Sequence, residues 1–382
     1  MLPENQGKKN KGRKKLAVIG ASYLQLPLVN KANDMGIETH CFAWEEGAVC
    51  KDVADYFYPI SIIEKEKILD KCKEIGINGI TSIASDVAVP SVCFVAENMN
   101  LISNTVSSSN LCTDKYLMRE AFKKNNVNSP KYFKLNKENY RFDDNLFFPV
   151  IVKPVDRSGS LGVMLADNKE KFESAVFRAC QFSFKKEAIV EEFIDGREVS
   201  VETISWEGSH FLLNVTDKVT TNDPYFVEIE HHQPSEIDKK ILKRVKDLTF
   251  KALTSLNIKY GAGHTEIRIK PNGDIFIIEV GARMGGDFIG SDLVYLSTGY
   301  DFLKGVIEVS LNKFHVPEFT ENKHSGVFFL SKDTMNTYSI IQERYSKSIV
   351  TNSRINDNLN YATCSADRSG YLIYQSDKRI VI

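Results

Sequence analysis

Glu266 and Glu279 are the residues whose spacing most narrowly implies chemistry. Between them lie two β-prone runs, Ile267-Arg268-Ile269-Lys270 and Ile275-Phe276-Ile277-Ile278, joined through Pro271-Asn272-Gly273-Asp274. Asn272-Gly273 predicts a two-residue type I′ hairpin turn, because both residues accept positive φ. Counting outward from that turn, Lys270 faces Ile275, Arg268 faces Ile277 and Glu266 faces Glu279. Carboxylates directly opposite one another repel, since their Cβ atoms lie about 4.5–5.5 Å apart. A divalent cation between them relieves the repulsion. Mg²⁺ suits the pair, because it takes one or two carboxylates and fills its octahedron with water and phosphate oxygens. The plain alternative is an exposed hairpin whose two acids point into water.

Other residues fit the same chemistry. Phe148-Pro149-Val150-Ile151-Val152-Lys153-Pro154 reads as a strand with a lysine at its end. The loop that follows contains Ser158, Gly159, Ser160 and Gly162, and such a loop can turn several backbone N–H groups toward one anion. It is not the P-loop pattern, because no Gly-Lys-Ser/Thr opens a helix after it. Lys115 and Lys153 together with this loop can hold a polyphosphate, and Glu266 and Glu279 can hold its metal. Arg283, four residues beyond the second glutamate, can stabilise charge that develops on a transferred phosphoryl group. Glu191-Glu192-Phe193-Ile194 sits at a strand end, where backbone groups suit an adenine edge, and Glu198 can accept from ribose hydroxyls.

The elements that must position these groups can be read in order. Leu16–Gly20 is an apolar run ending in glycine, as a buried parallel strand does. A helix to Met35-Gly36, a strand over 37–42, a helix over 64–75 and a strand over 78–84 make 14–105 a βαβαβ unit. Gly20-Ala21-Ser22-Tyr23-Leu24 lacks the full dinucleotide glycine pattern, so it reads as a structural turn whose carboxyl edge is open to a substrate. Helices are expected over 168–180, over 235–256 and near 300–312, and residues 325–382 are strand-rich. His231-His232 has no third ligand spaced for zinc, which leaves a loop at a substrate mouth or plain exposure. The seven cysteines show no metal-ligand or CxxC spacing and read as buried thiols in a reducing compartment. With a net charge of −1 over 382 residues, nothing points to nucleic acid. No apolar run reaches the ~20 residues of a membrane span, and the basic opening Lys8–Lys15 lacks the apolar core of a signal peptide. The cytoplasm is the expected location.

This order of motifs resembles the ATP-grasp superfamily, in the carboxylate–amine ligase branch shared with L-amino-acid ligases, biotin carboxylase and the halves of the carbamoyl-phosphate synthetase large chain. The resemblance implies an α/β and α+β chain with a basic tail (1–13), a Rossmann-like pre-ATP-grasp domain (14–105) and a helical connector (106–127). A two-lobed ATP-grasp core (128–312) and a small strand-rich carboxyl-terminal lobe (313–382) follow. It implies ATP, with Mg²⁺ as one or two ions and Mn²⁺ as an acceptable substitute. Lys115 and Lys153 would contact phosphate, and Ser158, Gly159, Ser160 and Gly162 would form the mobile loop over it. Glu191 through Ile194 would be the adenine hinge and Glu198 the ribose contact. Glu266 and Glu279 would be the metal ligands, and Arg283 the catalytic arginine with Lys153 beside it. One departure stands out: Glu279-Val280-Gly281-Ala282-Arg283 has glycine where Glu-x-Asn-x-Arg has asparagine. The expected reaction joins a small carboxylate to an amine through an acyl phosphate, releasing ADP and phosphate. Dimers are usual in such families, which leaves a homodimer open for this chain. A bicarbonate-activating carboxylase or carbamoyl-phosphate-type enzyme is one alternative, and a nucleotide-binding regulator without catalysis is another. Specificity is expected in a pocket between the first domain, the 220–235 segment and Gly285-Gly286.

Overall fold

The computed structural model describes residues 12–136, 147–221, 227–354 and 358–382. Lys8, Lys9 and Lys11 of the basic opening therefore lie outside the described residues, as do Asn222–Phe226 of the 220–235 segment. Arg13, the second described residue, is tied down: its guanidinium sits 3.0 Å from Asp55 and donates to the Ile37 carbonyl at 2.6 Å.

The first unit alternates strands and helices: β1 (Lys15–Ile19), α1 (Leu26–Asp34), β2 (Glu38–Phe42), β3 (Tyr56–Tyr58), α2 (Lys65–Ile75), β4 (Gly79–Thr81) and α3 (Val89–Asn98). Its strands are parallel in the order β3-β2-β1-β4. β1 and β2 are buried almost throughout, as strands covered on both faces must be. Two short helices follow, α4 (Val106–Thr113) and α5 (Lys115–Lys124). Asp114 caps α5 by accepting from the Leu117 N–H at 3.0 Å, which leaves Lys115 in the first turn, buried.

The core has two sheets. β5 (Tyr132–Asn136), β6 (Val150–Pro154), β7 (Met164–Ala166) and β8 (Glu187–Glu192) pair in the order β5-β8-β6-β7, with α6 (Lys169–Phe182) packed on them. The second sheet is antiparallel and begins with β9 (Arg197–Trp206), β10 (Ser209–Thr220), β11 (Glu228–Gln233), α7 (Lys239–Ser255), β12 (Gly261–Ile269) and β13 (Ile275–Gly281). After α8 (Val294–Thr298) and α9 (Phe302–Ser310), the chain adds β14 (His324–Leu330), α10 (Met335–Arg344), β15 (Ile349–Arg354) and β16 (Gly370–Ser376). The order is β13-β12-β9-β10-β11-β14-β16-β15, so the carboxyl-terminal strands extend this same sheet.

The β12–β13 hairpin corrects the expected turn. Gly273 N–H donates to Lys270 O at 2.8 Å and Lys270 N–H to Asp274 O at 2.8 Å, with Gly273 at φ +85°. The loop therefore has three residues, Pro271-Asn272-Gly273, with the glycine taking the left-handed position. Consequently Ile269 faces Ile275, Arg268 faces Phe276 and Ile267 faces Ile277. The register then shifts between Glu266 and Ile267, with Ile278 as the extra residue, and Glu266 faces Glu279 after all. The expected pair forms because the bulge makes up the residue by which the turn differs.

Arg119 of α5, fully buried, spans both sheets. It donates to the bulge carbonyl of Ile278 at 2.6 Å and lies 2.8 Å from Glu191 of β8. Replacing Arg119 by leucine removes one of the two cations that neutralise Glu191. The expected cost is about 3 kcal/mol of stability, the lower end of the range for breaking a buried pair. Urea unfolding measures this, and a loss below ~1 kcal/mol would show that Lys153 alone neutralises Glu191.

Candidate active site

A cavity of 450 Å³ runs between the two core sheets and is closed by the first unit and the segment before β16. Lys115, Lys153, the loop residues Ser158, Gly159 and Ser160, and Glu191 through Ile194 line it, together with Glu198, Glu266, Glu279 and Arg283. Gly162 is not on its wall; a Cβ there would meet Pro154 Cγ at 3.0 Å, so this glycine serves the loop's packing.

Lys153 Nζ sits 2.8 Å from Glu191 Oε2, both side chains buried. Burial pushes the Lys153 ammonium below the usual lysine range, with Glu191 opposing. Burial would raise Glu191, but Arg119 and Lys153 outweigh it and hold the carboxyl low. Glu191 thus anchors a lysine by its side chain, while its backbone belongs to β8. Glu192 ends β8 and is half-buried like Phe193, while Ile194 is buried; all three line the cavity.

The opposed glutamates are not left to repel. Lys115 Nζ donates to Glu279 Oε1 at 2.8 Å and to the Arg157 carbonyl at 2.6 Å. Lys218 Nζ donates to Glu266 Oε1 at 3.0 Å. The expectation that only a metal relieves this pair is therefore corrected: each carboxylate has its own lysine, from α5 and from β10. Lys218 also lies 2.8 Å from Glu198 and 3.2 Å from Glu228, so three carboxylates surround one buried ammonium. Burial would lower Lys218, but the three acids outweigh it and drive its pKa well up. Arg268 pairs with Glu198 at 2.6 Å, so the expected ribose contact is already engaged by two cations.

Arg283 does not pair with Asp287, four residues on. Its Nε and Nη2 donate to Asp86 at 2.9 and 2.8 Å, and Asp86 belongs to the first unit. This accounts for Gly281. A Cβ there would stand 2.7 Å from Asp86 Oδ1 and 3.1 Å from Arg283 Nε, so the Asp86–Arg283 pair fills the space in which a longer side chain would start. Deeper in, His264 bonds Glu202 through Nδ1, and Glu202 also accepts the Gly285 N–H at 3.0 Å. Burial alone would lower His264; the Glu202 carboxylate outweighs it and pushes the imidazole up to about 9. His231 and His232 are both only 1% exposed, which corrects the expectation of exposure or of a loop. They lie on β11, an interior strand, and His231 lines the cavity directly across from Lys218.

Sequence reasoning missed Asp86, Arg119, Glu202, Lys218 and Arg368 as parts of this site. The nearest signals were Thr216-Asp217-Lys218-Val219-Thr220 and Asp367-Arg368-Ser369-Gly370, which carried no role of their own. The lining holds eight carboxylates against seven lysines and arginines, so the cavity is close to neutral. The two opposed, partly exposed glutamates are donors suited to a Mg²⁺ that arrives with phosphate and water ligands. Among the described residues no group of three or more His, Cys, Asp or Glu side chains is placed to hold a metal ion.

Residues 146–292 match the family model for the ATP-grasp domain. The chain carries an ATP-grasp domain. Over 271 residues it is 26% identical to alanine–anticapsin ligase of Bacillus subtilis, covering 62% of this chain and 57% of that protein, under two thirds of its length. It is also 26% identical over 217 residues to D-alanine–D-alanine ligase B of Clostridium perfringens, covering 54% of this chain and 70% of the relative. In structure it is similar to L-amino acid ligase from Bacillus licheniformis, with a TM-score of 0.79 and 20% identity over 96% of this chain and 94% of that one. Phosphoribosylglycinamide synthetase from Anaerococcus prevotii gives 0.75 and 23% over 96% and 95%. These likenesses make the overall fold that of ATP-grasp proteins, with a parallel sheet at the amino terminus and the eight-stranded antiparallel sheet behind the cavity. No helix among the described residues is long and apolar enough to cross a membrane.

His231 supplies a pH test. Burial pushes its imidazole down to about 3, so it stays neutral in the folded protein while the unfolded chain protonates near pH 6.5. Folding stability attributable to this group is therefore intact above about pH 6.5 and is lost as pH falls toward 3, at about 1.4 kcal/mol per unit. Between pH 7.5 and 5 the wild type should lose roughly 2 kcal/mol more than His231→Gln. Equal losses would mean that His231 takes up a proton in the folded state.

Proposed function

We propose that this protein is an ATP-dependent ligase that joins a small carboxylate to an amine, and that the cavity is its active site. The observation that carries this reading is the convergence of Lys115, Lys153, Lys218 and Arg283 with the opposed Glu266 and Glu279 around one cavity. Fixed cations at both ends of a carboxylate pair suit a triphosphate and its metal. The ligases among the matched proteins, whose names describe joining of alanine to anticapsin and of D-alanine to D-alanine, support the same reading.

In the chemistry proposed, a carboxylate oxygen of the substrate attacks the γ-phosphorus, and the bond from that phosphorus to ADP breaks. The acyl phosphate is then attacked at carbon by the amine nitrogen; the bond to phosphate breaks and the nitrogen gives up a proton. The products are an amide, ADP and phosphate. Glu192, Phe193 and Ile194 would meet the base, and Glu198 the sugar. Ser158, Gly159 and Ser160 would cover the phosphates, with Lys115 and Lys153 alongside. Bound Mg²⁺, held by Glu266 and Glu279, would screen the charge of the phosphates. Arg283 would stabilise the transferring phosphoryl group; Asp86 fixes its planar fork and excludes the rotamers a free arginine would sample. Lys115 and Lys218 are bonded to the same two glutamates, so a metal there would share those carboxylates with the lysines.

Two experiments test this. With ATP, Mg²⁺, hydroxylamine and a panel of carboxylic and amino acids, the wild type should form a hydroxamate and ADP. Arg283→Lys should keep ATP binding yet lose hydroxamate formation by about 10²–10³-fold, the scale of one lost transition-state donor. Release of AMP and pyrophosphate instead would overturn the acyl-phosphate route, and ADP release driven by bicarbonate alone would favour a carboxylase.

Glu279→Gln is the second test. It removes a like charge opposite Glu266 but also strips Lys115 of its partner. Since Lys115 is buried, the lost pair outweighs the relieved repulsion, and the metal-free variant should be less stable than wild type. Its thermal shift with Mg²⁺ and ATP together should shrink as well. An undiminished shift would take Glu279 out of the metal site.

A further inference from the structure

One fully buried carboxylate beside the cavity has no part in the chemistry proposed above. Glu202 lies in the middle of β9, directly across from His264 of β12. The two side chains bond through Glu202 Oε1 and His264 Nδ1, and Glu202 Oε2 accepts the Gly285 N–H at 3.0 Å. A buried carboxylate must find partners for its oxygens, and here they come from two separate parts of the chain. His264 stands two residues before Glu266 on the same face of β12, with its Nε2 3.7 Å from Glu266 Oε1. Gly285 stands two residues beyond Arg283. Glu202 therefore joins the hairpin glutamate to the turn that follows the arginine.

That turn is fitted closely to the carboxylate. A Cβ at Gly285 would stand 2.8 Å from both Glu202 Oε1 and His264 Nδ1. The Gly285 backbone is not left-handed, so this contact, rather than its φ, calls for glycine. The peptide between Met284 and Gly285 is held from both sides. Glu202 takes its N–H, and the Ala84 N–H of the first unit donates to its carbonyl at 3.1 Å. Fixing this peptide sets how Gly286 is presented. Gly286 lines the main cavity and also a smaller recess beside Tyr23 and Leu24.

We propose that Glu202 and His264 form a positioning pair, through which metal on Glu266 and substrate seated at the Gly286 turn favour each other. The inference rests on the metal site proposed at Glu266, and on the ligase reading for what fills the turn. His264 is shared between two carboxylates, Glu202 and Glu266. A cation on Glu266 cancels that residue's pull and leaves the imidazole to Glu202 alone. Glu202 then loses freedom to move, and the Gly285 peptide loses it too. Such coupling is reciprocal, so a substrate that fixes the turn also tightens the metal. The donor acid is thus seated firmly only when the cation that screens the phosphates is in place. Neither side chain of the pair acts on the reacting atoms.

Amide exchange tests the link without any substrate. Mass spectrometry follows residues 284–288 in protein saturated with ADP, once with EDTA and once with Mg²⁺. In the wild type Mg²⁺ should slow exchange of that segment by about 5-fold or more. Glu202→Gln cuts the link at its centre. Gly285→Ala cuts it at the far end and leaves every residue on the metal side in place. In both variants the slowing by Mg²⁺ should fall below about 2-fold, while calorimetry gives an affinity for Mg²⁺ with ADP within about 3-fold of wild type. The double variant should be no worse than either single one, because both changes break one path. No slowing by Mg²⁺ in the wild type, or undiminished slowing in Gly285→Ala, would overturn the proposal. So would a loss of Mg²⁺ and ADP affinity confined to Glu202→Gln, which would make Glu202 a support of the metal site. Kinetics use the carboxylic acid that gives the most hydroxamate. Each variant should raise KM for that acid about 10-fold at saturating Mg²⁺ and ATP, and leave KM for ATP at low acid within about 2-fold. Equal rises in both would mean general loosening and would count against the pair. If no acid gives a hydroxamate, the ligase reading fails separately, and amide exchange still decides the link.

Discussion

Two carboxylates facing each other across a hairpin set a condition that much of this molecule meets. Neither Glu266 nor Glu279 is fully exposed, so water alone does not relieve their repulsion. Each is matched by a lysine from a distant element: Lys115 from the first turn of α5, and Lys218 from near the end of β10. That requirement brings a helix outside the sheet, a strand inside it and the edge hairpin together at one point. Arg119, one turn beyond Lys115 on the same helix, then ties the hairpin's bulge to the smaller sheet. The cavity lies where these ties converge, and its near neutrality follows from them.

The same condition explains why so many ion pairs are buried around the cavity. A buried pair adds little net stability, because desolvation offsets most of the attraction, but breaking one is costly. A site built this way is held in shape before any nucleotide enters. Ligand phosphates and metal would exchange with contacts already present, which keeps the rearrangement local.

Much of this was legible in the sequence where the signal was local. Strand and helix positions followed apolar periodicity, and the glutamate pairing came out correctly although the turn type did not. Asn272-Gly273 reads as a two-residue turn in isolation; Pro271 enters the loop as well, and the bulge at Ile278 returns the register. What could not be read were the partners. Asp86 and Arg283 are 197 residues apart, and Lys115 and Glu279 are 164 apart, so no window of sequence contains either pair. His231-His232 looked like a surface doublet because polar neighbours usually are. Both are buried because β11 lies inside an eight-stranded sheet, which is a property of the topology rather than of those residues. Gly281 looked like a loss until Asp86 was seen to occupy the space beside it.

The bond between Asp86 and Arg283 has a consequence for how such a chain can be modified. The arginine proposed for phosphoryl transfer is steadied by a domain whose strands belong to a different sheet and lie at the opposite end of the sequence. A chimera that exchanged the first hundred residues to acquire a new substrate would also exchange the support of its reactive centre. Only donors with an acid at the equivalent place, and room for it against a glycine, would leave the recipient's chemistry in working order. In this chain, recombination between modules is constrained by one carboxylate.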